Sequence, residues 1–149
     1  MKQFRAFVTT ETKKDAFNYS IQEKNLADLP KSDLLIKVQY SSLNYKDALS
    51  ATGNKGVTKK YPHTPGIDAV GIVEESKNKN FPINSSVIVS GYDLGMNTPG
   101  GFSEYISIPS SWAVIKPDLL TSQDSMTIGT AGLTAGLCIK AIEDKKSIK

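Results

Sequence analysis

The sequence predicts a mainly β fold with some α, a partly open β-barrel that hands on to crossover helices. Three observations predict it. Short runs rich in β-branched and aromatic residues recur over the first two-thirds of the chain, Gly and Pro punctuate them, and the pattern turns helical near residue 120. Closing such strands into a barrel removes exposed strand edges, which favours it over an open sheet.

The elements follow in order. "FRAFVTT" and "FNYSIQEK" are two strands separated by a polar Lys/Asp turn. "DLLIKVQYSSL" sets Leu34, Ile36, Val38 and Tyr40 against Leu35, Lys37 and Gln39, the period-two pattern of a half-buried strand. "SSLNYKDALSATG", residues 41–53, leaves that strand and becomes a short helix over 44–53. Asn44 and Asp47 stand at capping-box spacing, and Gly53 suits a left-handed stop. Capping explains those three residues and leaves Tyr45 and Lys46, at the lip of the helix, without a structural reason. Beyond the lysine-bearing loop "NKGVTKKYPHTPG", the runs "IDAVGIVEES" and "SSVIVSGYDLG" are strands joined by "KNKNFPIN". "GGFSEYISIPSSWAVIKP" supplies two more, hinged at Pro109. "LLTSQDSMTIGTAGLTAGLCIKAIEDKK" then reads as helix, with Thr121 and Asp124 as a cap pair and a break at Gly129. Its glycines cost about 1 kcal/mol each relative to alanine, so the small residues there imply close packing or a nearby ligand.

Composition narrows the function classes. The 149 residues are 39% hydrophobic and 22% charged, enough for a buried core and against general disorder. The net charge is +3, but Arg5 is the only arginine and the lysines form no stripe, so no nucleic-acid partner is expected. Cys138 is the only cysteine, which excludes an intramolecular disulfide and a cysteine-built zinc cage. "MKQFRAFVTTETKK" has no signal-peptide core and no run approaches a membrane span, so no membrane partner is expected and a cytoplasmic location follows. His63, the only histidine, reads as a loop residue satisfied by solvent or backbone.

Three segments, "SSLNYKDALSATG", "YPHTPGIDAVGIVEES" and "GGFSEYISIPSSWAVIKP…IGTAGLTAGLCIKAIE", resemble the medium-chain dehydrogenase/reductase superfamily, closest to its zinc-free quinone-oxidoreductase and acryloyl-CoA-reductase branch. The resemblance covers nearly the whole chain, and "NYKDAL" with "GTAGLTA" is its most specific part. It implies a GroES-like barrel over 1–120, and over 121–149 a helical crossover beginning a nucleotide-binding domain. A Rossmann domain would follow, with NADPH in the cleft between the two. Neither "GTAGLTAG" nor "GYDLGMNTPGG" follows a strand into a helix at G-x-G-x-x-G spacing, so the chain is expected to be the amino-terminal part of a longer enzyme, inactive alone. Zinc alcohol dehydrogenases place a cysteine near the start of the 44–53 helix and "GHE" where this chain has "GID"; Asp68 alone cannot hold a catalytic zinc.

The same resemblance implies hydride transfer from NADPH to an α,β-unsaturated carbonyl, such as acryloyl-CoA, or to a small quinone. Asn44, Tyr45, Lys46, Thr130 and Thr134 are the implied cofactor contacts, with Tyr45 also the candidate catalytic acid. Phenols ordinarily keep their proton at neutral pH, so Tyr45 can donate to a developing enolate oxygen. Asp47 reads as a cap, since a carboxylate there would oppose that charge. Tyr92 is a candidate for the substrate mouth, Trp112 and Tyr105 for barrel core or rim, and Lys55, Lys59 and Lys60 for an acyl-CoA's phosphates. An exposed crossover helix is expected to leave the chain prone to dimerise. The alternative from another class is a free-standing, non-catalytic GroES-like binding module.

Overall fold

In the computed structural model, which describes residues 2–146, seven strands and two helices alternate as the sequence patterning implies. Strand β1 (Gln3–Lys13) and β2 (Ala16–Asn25) form an antiparallel hairpin. A single 3-10 turn, Leu26–Asp28, leads on to β3 (Leu34–Tyr40). Helix α1 (Tyr45–Ala51) follows, then β4 (Asp68–Ser76), β5 (Ser86–Ser90), β6 (Tyr105–Ile108) and β7 (Ala113–Ile115). Helix α2 spans Ser122–Lys146.

The second sheet is antiparallel throughout, in the order β6-β3-β4-β5-β7. Alternation along β3 turns Leu34 and Ile36 inward against Ala69, Val73, Val87, Val89, Ile106 and Ile108. Burial of these aliphatic side chains is the main stabilising term, about 1.5–3 kcal/mol for each large one. Tyr40, placed on the inward row by period alone, is instead exposed, because the β3–β4 register slips between Val38 and Tyr40. The hairpin closes the structure from one side. Backbone bridges join Ala6 to Ser103 and Thr9 to His63, with Thr9 and His63 exchanging N–H···O bonds of 2.8 and 2.9 Å. Phe4, Ala6 and Val8 then pack with Tyr105 in a second, smaller core. The result is a partly open barrel.

Two features place the site. The chain leaves β3 at residues 41–44 and re-enters the sheet at β4, so the start of α1 stands over the first residues of β4. Helix α2 begins with the Thr121–Asp124 cap, where the Asp124 N–H donates to Thr121 Oγ1 at 3.0 Å, and it breaks at Gly129 (φ 50, ψ −163). Beyond the break Leu133, Leu137, Ile139 and Ile142 are all exposed. By length and composition α2 is apolar enough to cross a membrane, which corrects the expectation that no run approaches a span. Asp124 is the only charge between residues 122 and 139, and the interspersed Gly, Ala and Thr mask that apolar average in the sequence.

Candidate functional site

Helix α1 is fastened before it offers anything. Asn44 and Asp47 close the capping box, with the Asn44 N–H donating to Asp47 Oδ2 at 2.8 Å. The other Asp47 oxygen accepts from the Gly66 and Ile67 N–H groups, at 3.1 and 2.9 Å. Gly66 has φ 111, and a Cβ there would lie 2.5 Å from the Phe102 nitrogen, so only glycine permits this approach. Burial pushes the Asp47 carboxyl above the ordinary aspartate value, outweighing its three backbone N–H partners. Asp47 is thus a bolt between α1 and the segment leading into β4, in keeping with its reading as a cap.

The centre of the site is Asp68, the fully buried first residue of β4. Its Oδ2 accepts from the Ser42 hydroxyl, from Asn44 Nδ2 at 2.9 Å and from the Thr130 N–H at 2.9 Å. Its Oδ1 accepts from the Thr130 hydroxyl at 2.6 Å. Burial alone would raise this carboxyl's pKa, but the Ser42, Thr130 and Asn44 donors hold it below the ordinary aspartate value. The contacts also fix the break in α2, since a Cβ on Gly129 would stand 3.0 Å from Ser42 Oγ and 3.1 Å from Asp68 Oδ2. One carboxylate therefore joins the β3 exit, the start of α1, β4 and the crossover helix.

Beside this hub Tyr45 is 79% exposed, and among the described residues its hydroxyl meets no partner. Its ring is not packed beneath the barrel lip. Asn44 and Thr130, two of the expected cofactor contacts, both hydrogen-bond Asp68 and are half-buried. Lys46 is exposed with Nζ 4.0 Å from Met96 Sδ. Thr134 stands one turn beyond Thr130 and its hydroxyl bonds back to the Thr130 carbonyl at 2.8 Å, on an exposed part of the helix. Lys55 is paired with Glu11 at 2.5 Å and sits over the Phe17 and Tyr61 rings. His63 is buried, so of the two partners expected for it backbone and not solvent applies: its side chain bonds the Gly95 backbone, Nε2 is unpartnered, and burial lowers its pKa.

An apolar cleft of about 510 Å³ adjoins the hub through Gly129, Ser90 and Ser125. Tyr92, in the left-handed region at φ 54, stacks on Trp112 at its wall, with centroids 5.5 Å apart and planes within 6°. Trp112 thus belongs to the cleft, whereas Tyr105 is core. Among the described residues no group of three or more His, Cys, Asp and Glu is gathered for a metal ion. Neither strand-to-helix passage, residues 41–44 and 116–121, contains a glycine, so a dinucleotide's pyrophosphate finds no cradle on either. What the site offers is an exposed phenol beside half-buried hydroxyls, which fits an aromatic, amide-bearing headgroup and not a whole dinucleotide.

Sequence reasoning passed over Asp68 and Ser42 as a pair. The available signal was an aspartate opening an otherwise apolar strand, "DAVGIV", because a buried carboxylate demands donors.

Comparison with known proteins agrees with this fold. Residues 30–118 match the family described as the alcohol dehydrogenase GroES-like domain. The chain is 40% identical over 139 residues to a Bacillus subtilis protein named as a quinone oxidoreductase, YhfP, covering 92% of this chain and 42% of the relative. It is 40% identical over 125 residues to an Escherichia coli protein named as an acrylyl-CoA reductase, AcuI, covering 84% of this chain and 39% of the relative. Among solved structures, the yhdH oxidoreductase from Salmonella enterica in complex with NADP superposes with a TM-score of 0.89 at 38% identity, covering 96% of this chain and 43% of that one. Bacillus subtilis yhfP with NAD bound superposes with a TM-score of 0.91 at 37% identity, covering 97% of this chain and 44% of that one. The chain spans about two-fifths of the length of these relatives.

Proposed function

The chain belongs to the alcohol dehydrogenase GroES-like domain family of the medium-chain dehydrogenases/reductases, and from that premise we propose that it is the barrel side of a zinc-independent NADPH-dependent reductase. Its substrate would be an α,β-unsaturated carbonyl of the acryloyl-CoA kind or a small quinone. The observation that carries this reading is the exposed Tyr45 phenol standing beside the Asp68 hub, where α1 and the crossover helix meet. The NADP-bound Salmonella structure and the relative named as an acrylyl-CoA reductase support the choice of cofactor and substrate. In this reading residues 1–120 form the catalytic barrel and 121–149 lead to a nucleotide-binding domain in a cytoplasmic enzyme.

When bound, NADPH supplies a hydride. Tyr45 would contact the nicotinamide ring, hold its phenolic O–H toward the carbonyl oxygen where negative charge develops, and supply the proton that completes the reduction at the α-carbon. Thr130 would face the headgroup's amide, with Asn44 beside it on Asp68. Lys46, exposed at the rim, would meet ribose or phosphate, and Thr134, one turn along the crossover helix from Thr130, would add to the cofactor contacts. Tyr92 and Trp112 wall the apolar cleft in which the acyl group or quinone sheds water. Asp68, saturated by its four donors, takes no part as a metal ligand.

The test is NADPH oxidation by the protein expressed from its complete reading frame, with acryloyl-CoA and with a small quinone, in metal-free buffer containing a chelator. Turnover with either acceptor is expected. No turnover with both, or turnover abolished by the chelator, contradicts the proposal.

A further inference from the structure

Strand β2 carries an open edge. Along β1 the Arg5 and Thr9 carbonyls and the Phe7 and Thr9 N–H groups bond to the barrel, at Glu104, His63 and Phe102. The alternate residues Ala6, Val8 and Thr10 therefore face β2, opposite Gln22, Ser20 and Asn18. Backbone direction alternates along an antiparallel strand, so Phe17, Tyr19, Ile21 and Glu23 turn their N–H and C=O groups away from the hairpin. Among the described residues no backbone bond from outside the hairpin reaches them. Natural edges are blunted by charge, proline or a bulge. This one has neither charge nor proline from Ala16 to Gln22, and its pairing with β1 runs without a slip from Phe17 to Asn25. Tyr19 and Ile21, on one face of it, are 66% and 65% exposed, and the Tyr19 ring is held by stacking on Phe7 with centroids 5.3 Å apart.

We propose that this edge is an interaction surface whose occupant is the same strand of a second copy, antiparallel and centred on Ser20. In that register each Tyr19 lies across from the other copy's Ile21, an aromatic–β-branched pair of the kind that stabilises sheets. Each Glu23 lies across from Phe17, over whose ring Lys55 Nζ sits at 5.3 Å, so the acid meets a cation on the same face. On the other face Asn18 opposes Gln22, and no like charges stand opposite each other. Centring the pair on Ile21 or Gln22 takes each acid away from Lys55, and centring it on Glu23 sets the two acids face to face. The far side of β1 is already bridged to Ser103 and His63, so joining the two β2 edges uses up both and association stops at the dimer. The surface is separate from the exposed part of α2 and does not rest on the reductase reading.

The register supplies the test. At its centre Ser20 opposes itself as a non-hydrogen-bonded pair, with Cα atoms about 4.5 Å apart and within reach of a disulfide. Ser20→Cys is made in the protein expressed from its complete reading frame, oxidised mildly, and the linked peptides are identified by mass spectrometry. A disulfide joining the two position-20 sulfurs is expected. Asn18→Cys and Gln22→Cys should link to each other when mixed and not to themselves. Lys79→Cys, in an exposed turn, gauges chance collision. Tyr19→Lys combined with Ile21→Lys sets lysines opposite each other at exposed positions, and should cut the Ser20→Cys yield about tenfold or more while the circular dichroism stays unchanged. Linkage of Ser20→Cys no faster than that of Lys79→Cys, a yield that survives the two lysines, or Asn18→Cys linking to itself as readily as to Gln22→Cys overturns the inference. Position 20 joined to a cysteine outside β2 also overturns it, by giving the edge to another segment or another protein.

Discussion

At Asp68 burial and hydrogen bonding oppose each other, and the donors prevail, holding the carboxyl below its ordinary value. An unfolded aspartate titrates near about 3.9. Because the folded value lies lower, Asp68 contributes stability that is complete above the unfolded value and is lost as the pH falls through the folded one. Asp47, raised by burial, has the opposite sign, its contribution fading as the pH rises through its folded value. Asp68→Asn is expected to lower stability at neutral pH by about 2–4 kcal/mol and to remove part of the acid sensitivity, both measured by urea unfolding across pH. A variant as stable as the parent contradicts this. Tyr45→Phe is expected to leave stability within about 0.5 kcal/mol, because the ring is exposed, while lowering turnover of the complete enzyme about tenfold or more. Unchanged rates would remove Tyr45 from the mechanism. The sequence made Tyr45 and Lys46 conspicuous, because a capped helix has no use for them. It hid the hub, whose partners lie 24 to 62 residues from Asp68 in the chain and are joined only by the fold.

Among the elements, those governed by local chemistry were legible and those governed by long-range pairing were not. The Asn44–Asp47 box, the Thr121–Asp124 cap and the break at Gly129 all stand where the sequence signals put them. Helix α1 is shorter than read, ending at Ala51, since Thr52 and Gly53 turn the chain out of the helix. Strand order, the slip that exposes Tyr40 and the Thr9–His63 bridge depend on partners far along the chain, and no local pattern encodes them. The break in α2 gives a direct test at this scale. Gly129→Ala forces a Cβ against Ser42 and Asp68 at a positive φ, and it should cost about 1–3 kcal/mol in urea unfolding. A melting curve indistinguishable from the parent's would mean that the break is not held by the hub.

Across the whole molecule, the five-stranded sheet buries the main core and the hairpin a second, smaller one, while the far part of α2 leaves Leu133, Leu137, Ile139 and Ile142 exposed. The barrel class was legible because strand periodicity and Gly/Pro punctuation persist over a hundred residues; the apolar character of α2 was masked by its small residues. The isolated chain is expected to self-associate with rising concentration in sedimentation velocity, and Leu137→Gln should weaken that association. A monomer at every concentration would contradict it. The claim beneath the functional account is that the Tyr45 rim is one wall of a nicotinamide cleft. Nuclear Overhauser contacts between NADP⁺ and the protein expressed from its complete reading frame test it most directly. The account expects the nicotinamide ring protons to show contacts with the Tyr45 ring that vanish in Tyr45→Leu; bound cofactor without such contacts would contradict it.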